Sequence, residues 1–230
     1  MTRACLVAIM FFLLNCKDAQ TQSAIEQKPA PASPISTPSP RLFVIGDNLI
    51  HDTIASLQGS VPSELEIIDD THADIGCQIF SDVLLGGVDD PAQYDHHDFG
   101  PNDSVIFMEG IYNTLIFDQG SAGYDDLIAK AENSISIILN SGSTVYLATV
   151  PHLPNQGYTV CSNQHGGSDA ESDYISQALR DFVAAENNPK LILVDINILL
   201  GTGNYEADGL TISQAGQAAL TEIFLNATGN

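Results

Sequence analysis

Arg41-Leu42-Phe43-Val44-Ile45-Gly46-Asp47-Asn48 decides how this chain is read. Four consecutive apolar residues between Arg41 and a Gly-Asp turn describe a strand buried on both faces, as in a parallel sheet. Past the turn, apolar residues at 49, 50, 54, 55 and 57 predict a helix over Leu49 to Gln58 that packs back on the strand. Many α/β enzymes place a nucleophile in such a strand–turn–helix, at the carboxyl end of the first strand. Here that place holds Asn48, which has neither hydroxyl nor thiol.

Downstream, the same alternation repeats. Leu65 to Asp69 reads as a second strand and leads into Asp70 to Cys77. Val105 to Glu109 reads as a third, after the polar loop Asp89 to Asp103. Thr144 to Val150 makes a fourth and Leu191 to Asp195 a fifth. Between and after them, helices are predicted over Asp125 to Asn140, Ser176 to Ala185 and Ser213 to Leu225, the last with Ser213 as N-cap. Strands alternating with helices predict a parallel sheet with helices on both faces.

Upstream, residues 1–16 have the features of an export signal. Arg3 supplies a positive start, and Ala4 to Leu14 is an apolar run too short to span a bilayer. Leu13-Leu14-Asn15-Cys16 resembles a bacterial lipoprotein box, which implies lipidation at Cys16 after cleavage. Asn15 departs from the small residue usual there. Several acyl chains on one cysteine would anchor the protein stably, where a single chain is marginal. Residues 17–40, rich in Pro, Ser, Thr, Gln and Ala, bury too little apolar surface to fold and are expected to form a disordered tether. The folded domain is expected over 41–230.

The formal charge of −22 narrows the partners. From Arg41 onward, four basic residues (Arg41, Lys130, Arg180, Lys190) face 27 acidic ones. A nucleic-acid partner is excluded on this ground, because phosphate binding needs a basic footprint. Electrostatic binding to anionic membranes is disfavoured for the same reason, which leaves a lipid anchor as the expected route to a membrane. The acids are scattered rather than clustered, which fits solubility or salt adaptation better than a cation site.

Three landmarks together resemble the SGNH (GDSL-type) hydrolases, a flavodoxin-like α/β group of esterases, lipases and acetyl-hydrolases. Val44-Ile45-Gly46-Asp47-Asn48 stands for the family's Gly-Asp-Ser, and Glu109-Gly110-Ile111-Tyr112-Asn113 for its Gly-x-Asn-Asp. Tyr205 to Thr211, with Gly216, stands for its Asp-x-x-His. Their order, their spacing and the closing helix carry the resemblance over the whole domain. It implies a three-layer sandwich around a parallel sheet of about five strands. It places the nucleophilic serine at Asn48 and the oxyanion glycine at Gly76. The oxyanion asparagine falls at Tyr112, or at Asn113 with a one-residue shift. The orienting aspartate falls at Asp208 and the histidine base at Thr211. An amide cannot form an acyl-enzyme, and a threonine has no pKa near neutrality with which to shuttle the proton. These groups act as a unit, so loss of both removes the chemistry while leaving the scaffold.

Other clusters compete for a role. His96-His97, among Asp89, Asp90, Asp95 and Asp98, offers a divalent-metal site or a replacement base. Adjacent histidines in an extended loop point to opposite sides, so a solvated loop is the expectation, with no metal and no cofactor. His51 lies one helical turn past Asn48 and reads as a surface residue; His72 precedes Gly76 by four residues. Nothing in the spacing of His152 and His165 singles them out. Cys77 and Cys161 both follow strands, and an exported setting favours a disulfide between them.

The expectation is an exported protein of the bacterial cell envelope or secreted, lacking the catalytic serine and histidine. It would serve as a non-catalytic binding or structural module for a small-molecule, glycan or protein ligand. The alternative is an active esterase or acetyl-hydrolase with a non-standard nucleophile, such as Ser104, Thr71 or Ser213, served by His72 or His97. A hydroxyl within hydrogen-bond reach of a histidine separates the two.

Overall fold

The structure, a computed structural model, describes residues 39–71, 98–111, 122–154 and 169–229. Five strands form one wholly parallel sheet: β1 (Arg41–Gly46), β2 (Glu66–Thr71), β3 (Ser104–Met108), β4 (Thr144–Ala148) and β5 (Leu191–Val194). Their order across the sheet is β2-β1-β3-β4-β5. The helices around it are α1 (Asn48–His51), α2 (Ile54–Gln58), α3 (Ala122–Asn140), α4 (Asp169–Glu186), α5 (Ile196–Leu199) and α6 (Gln214–Thr228), with a 3-10 turn at Thr202–Asn204. The alternation predicts this parallel sheet with flanking helices, and the resemblance implies its flavodoxin-like sandwich form.

Burial follows the sequence pattern. Leu42 to Ile45, Val105 to Met108 and Val145 to Leu147 are buried, as continuous apolar runs in inner parallel strands must be. The edge strand β2 is only half-buried and carries Glu66, Asp69 and Asp70, charges that discourage pairing with another chain. Helix faces close the core at helical spacing. Ala131, Ile135 and Ile138 line one side of α3; Ile175, Leu179 and Phe182 line α4; Leu220 and Phe224 line α6.

Arg41 opens β1 by clasping the start of β3. Its guanidinium donates to both oxygens of Asp103, at 3.0 and 2.6 Å, and Gly100 N donates to the same carboxylate at 2.7 Å. Asp103 is buried, so the planar two-pronged donor is what allows a charge there.

Where structure and expectation differ, local physics decides. The helix expected over Leu49 to Gln58 is two short ones. Thr53 sends its hydroxyl back to Leu49 O at 3.0 Å, and its amide bonds Ile50 O in a tight turn rather than Leu49 O. Strand β2 runs on to Thr71. Helix α4 begins seven residues earlier than Ser176, because Asp169 and Glu171 favour its amino end. Ser213 caps α6 as expected, its hydroxyl accepting from Gly216 N at 3.1 Å. Residues 1–38, and with them the export signal, Cys16 and nearly all of the tether, lie outside the described residues.

Candidate functional site

In an open parallel sheet with this strand order, the carboxyl ends of β1 and β3 flank the point where the winding reverses, and ligands bind there. Gly46 ends β1 because nothing larger fits: a Cβ would collide with Met108 O and Ile50 Cγ2. The chain then turns into Asp47, whose amide donates to Met108 O at 3.2 Å and stitches the exits of β1 and β3 together. Asp47 is buried and caps α1, Oδ1 accepting from Leu49 N at 3.1 Å. Its Oδ2 accepts from Ile111 N at 3.3 Å, across the seam. Burial nonetheless pushes its pKa up to about 7. The backbone of Asn48 follows as the first residue of α1.

Glu109 stands directly after β3 and is buried to the same degree as Asp47. Burial first, then the charges of Asp47 and Asp70, hold its carboxyl well above the usual carboxylate range. Its Oε1 has no hydrogen-bond partner among the described residues. This acidic pair went unnoticed in the sequence. Two acids that each directly follow an apolar strand, in adjacent strands, are the signal that could have found it.

At the exit of β2, a hydroxyl does meet a histidine. Thr71 Oγ1 lies 2.6 Å from His51 Nδ1 and also donates to Asp69 Oδ1 at 2.6 Å. A hydroxyl has one proton. Spent on the carboxylate, it leaves His51 Nδ1–H as donor to the oxygen, so this imidazole is not placed to deprotonate Thr71. His51 is a surface residue as expected, its side chain 42% exposed, and it is bonded to Thr71.

The other hydroxyls proposed as nucleophiles are placed elsewhere. Ser104 begins β3, at the amino end of the sheet, and bonds Tyr146. Ser213 donates to Asn204 O at 3.0 Å while capping α6. Neither reaches a described histidine.

Before α6, Tyr205 and Ile212 form an antiparallel bridge that closes the loop carrying Asp208 and Thr211. Thr211 Oγ1 donates to Asp208 Oδ2 at 2.6 Å; the amides of Leu210 and Thr211 fill Oδ1, each at 2.9 Å. These donors, Thr211's hydroxyl foremost, hold the Asp208 carboxyl below its ordinary pKa. The loop packs onto α6 through Gly216, where a Cβ would strike Asn204 O.

A second network closes the exits of β4 and β5. Arg180 donates to both oxygens of Asp195 at 2.9 and 2.8 Å, and Thr149 Oγ1 donates to Asp195 Oδ1 at 2.9 Å. His152 Nε2 sits 2.7 Å from Asp173 Oδ1. Gly76, Tyr112, Asn113, His72, His96, His97, His165, Cys77, Cys161 and the acids Asp89, Asp90 and Asp95 lie outside the described residues. Among the described residues, no group of three or more His, Cys, Asp or Glu side chains could hold a metal ion, and no helix is long and apolar enough to cross a membrane.

Comparison with solved structures places this architecture. The chain is similar to a protein from Streptococcus pneumoniae assigned as a platelet activating factor, at 17% identity and TM-score 0.62, over 84% of this chain and 85% of that one. It is similar to a protein from Slackia heliotrinireducens assigned as an SGNH hydrolase, at 14% identity and TM-score 0.60, over 84% and 100%. It is also similar to an acetylxylan esterase from Geobacillus stearothermophilus, at 15% identity and TM-score 0.56, over 83% and 94%. No family model and no curated protein matches the sequence. At such identities the likeness establishes the fold, and the fold is that of the SGNH hydrolases.

Proposed function

We propose that this chain is a non-catalytic binding or structural module built on the SGNH-hydrolase fold, exported and lipid-anchored at Cys16 in a bacterial envelope. One observation carries the reading: the Asp208 carboxylate is filled by Thr211 and two backbone amides. In an acyl-transfer triad, the carboxylate orients an imidazole and stabilises its charged form. Here the same kind of acceptor holds a hydroxyl that takes no proton at neutral pH. Asn48, at the place the resemblance gives to the nucleophile, supports the same conclusion. On this reading the described residues at the strand exits offer no acyl-transfer group, and the site serves to hold a small-molecule, glycan or protein ligand.

A fluorophosphonate probe for activated nucleophiles tests this directly. The full chain should stay unlabelled under conditions that label an active SGNH esterase; stoichiometric labelling of any residue contradicts the reading. Metabolic labelling with a fatty acid, lost in Cys16→Ala, tests the anchor.

A second reading, an active esterase, draws on the Thr71–His51 contact. It requires Thr71 to turn its proton from Asp69 to His51. Fluorophosphonate labelling of Thr71 would establish it.

A further inference from the structure

Asp47 and Glu109 are two carboxyls, both buried, at adjacent strand exits. The register pairs Gly46 with Met108, so the next residue on each strand is one of the acids. The Asp47 amide bonds Met108 O, and this fixes the adjacency. No cation answers them among the described residues whose side-chain contacts are known. Arg41 is spent on Asp103 and Arg180 on Asp195, and Lys190 donates to Gly142 O.

The two acids are not equivalent. Asp47 accepts two backbone amides, from Leu49 and Ile111, which favour its charged form. Glu109 Oε1 accepts nothing among the described residues. A buried carboxylate oxygen without a donor is costly to charge, and a second charge beside it costs more, so a proton settles on the member whose oxygen is left unfilled.

We propose that Asp47 and Glu109 keep a single proton at mildly alkaline pH, carried by Glu109, and that its release to solvent loosens the seam between the exits of β1 and β3. Glu109 is then a neutral acid and Asp47 the single charge, with Ile111 N held on Oδ2. Losing the proton puts two like charges side by side in a buried space. The strain falls on the bonds from Asp47 N to Met108 O and from Ile111 N to Asp47 Oδ2, the bonds that join the exits of β1 and β3.

The remaining groups nearby sharpen this behaviour rather than replace it. From β2, Asp70 acts on Glu109 and opposes its ionisation. Asp69 and Thr71 alternate with Asp70 along the strand and so face the other side, where they hold His51. Asp52, just past α1, is pushed up by burial, which the charge of His51 partly offsets. The exit of β4 contributes Thr149 and Val150, which are uncharged, and His152 beyond them is bonded to Asp173. The proposal does not depend on whether the cleft is catalytic.

In the folded pair a proton is kept that ordinary carboxyls have released above about pH 4. Stability should therefore fall as pH rises from that region through neutrality. The experiment follows the full chain from pH 5 to 8.5 by thermal unfolding, and by infrared spectroscopy for a protonated carboxyl. Wild type should show a protonated-carboxyl band at pH 7 that fades as pH rises, with Ile111 amide protection lost in step. At pH 8 Glu109→Gln should lack the band that wild type still shows there, and melt about 5 °C above wild type. If Glu109→Gln does not fold, Asp47→Asn decides: the band should persist at pH 7 but fade at a lower pH than in wild type, because the like charge that holds the Glu109 proton is gone. No protonated carboxyl in wild type at pH 7, or a fading midpoint that Asp47→Asn leaves in place or raises, overturns the proposal.

Discussion

Thr211 Oγ1 donates to Asp208 Oδ2 at 2.6 Å, closing on itself the loop that leads into α6. Two backbone amides complete the carboxylate, so Asp208 is satisfied within four residues of chain. Both side chains are exposed, and an exposed bond of this kind is worth little. Thr211→Val should therefore cost about 1 kcal/mol or less in urea unfolding. A much larger loss would mean that Thr211 supports more than this loop.

The Arg180–Asp195 pair gives a pH dependence of the opposite sign to the buried acids. Arg180 first, then Thr149, hold the Asp195 carboxyl below its ordinary value. A carboxyl lowered on folding contributes stability above its unfolded pKa of about 3.9, and that contribution is lost as pH falls through the folded value. Asp195→Asn should destabilise the protein at pH 7 and flatten the acid limb of its stability curve below about pH 4. Parallel acid limbs for mutant and wild type would show that Asp195 does not contribute there.

Thr71 fixes which nitrogen of His51 carries the proton. With the threonine proton given to Asp69, His51 donates from Nδ1. Nitrogen NMR of the neutral ring should find the proton on Nδ1 in wild type and a mixture favouring Nε2 in Thr71→Val. Nε2–H in wild type would mean that Thr71 donates to the imidazole, which favours the esterase reading.

The sheet was legible because its inner strands are continuous apolar runs, and burial on both faces demands such runs. Val44-Ile45 and Ile106-Phe107 are fully buried in adjacent strands, as the run alone predicts. Helix boundaries were less legible. The break at Thr53 depends on a hydroxyl folding back on Leu49 O, which no period reveals. The Asp208–Thr211 loop was marked by its motif, but motif reading treated Thr211 as a missing base and not as a donor. The Asp47–Glu109 pair escaped because neither acid is unusual alone. Only strand register makes them neighbours, and register depends on which strands pair.

The most direct test of the central claim is ester hydrolysis by the full chain, measured on short-chain p-nitrophenyl esters beside Asn48→Ser and Asn48→Ser/Thr211→His. The account predicts that wild type and the single variant are silent, and that the double variant gains measurable turnover on an intact scaffold. Turnover by wild type that survives replacement of Asn48 would contradict it, because a nucleophile would then exist elsewhere in the chain.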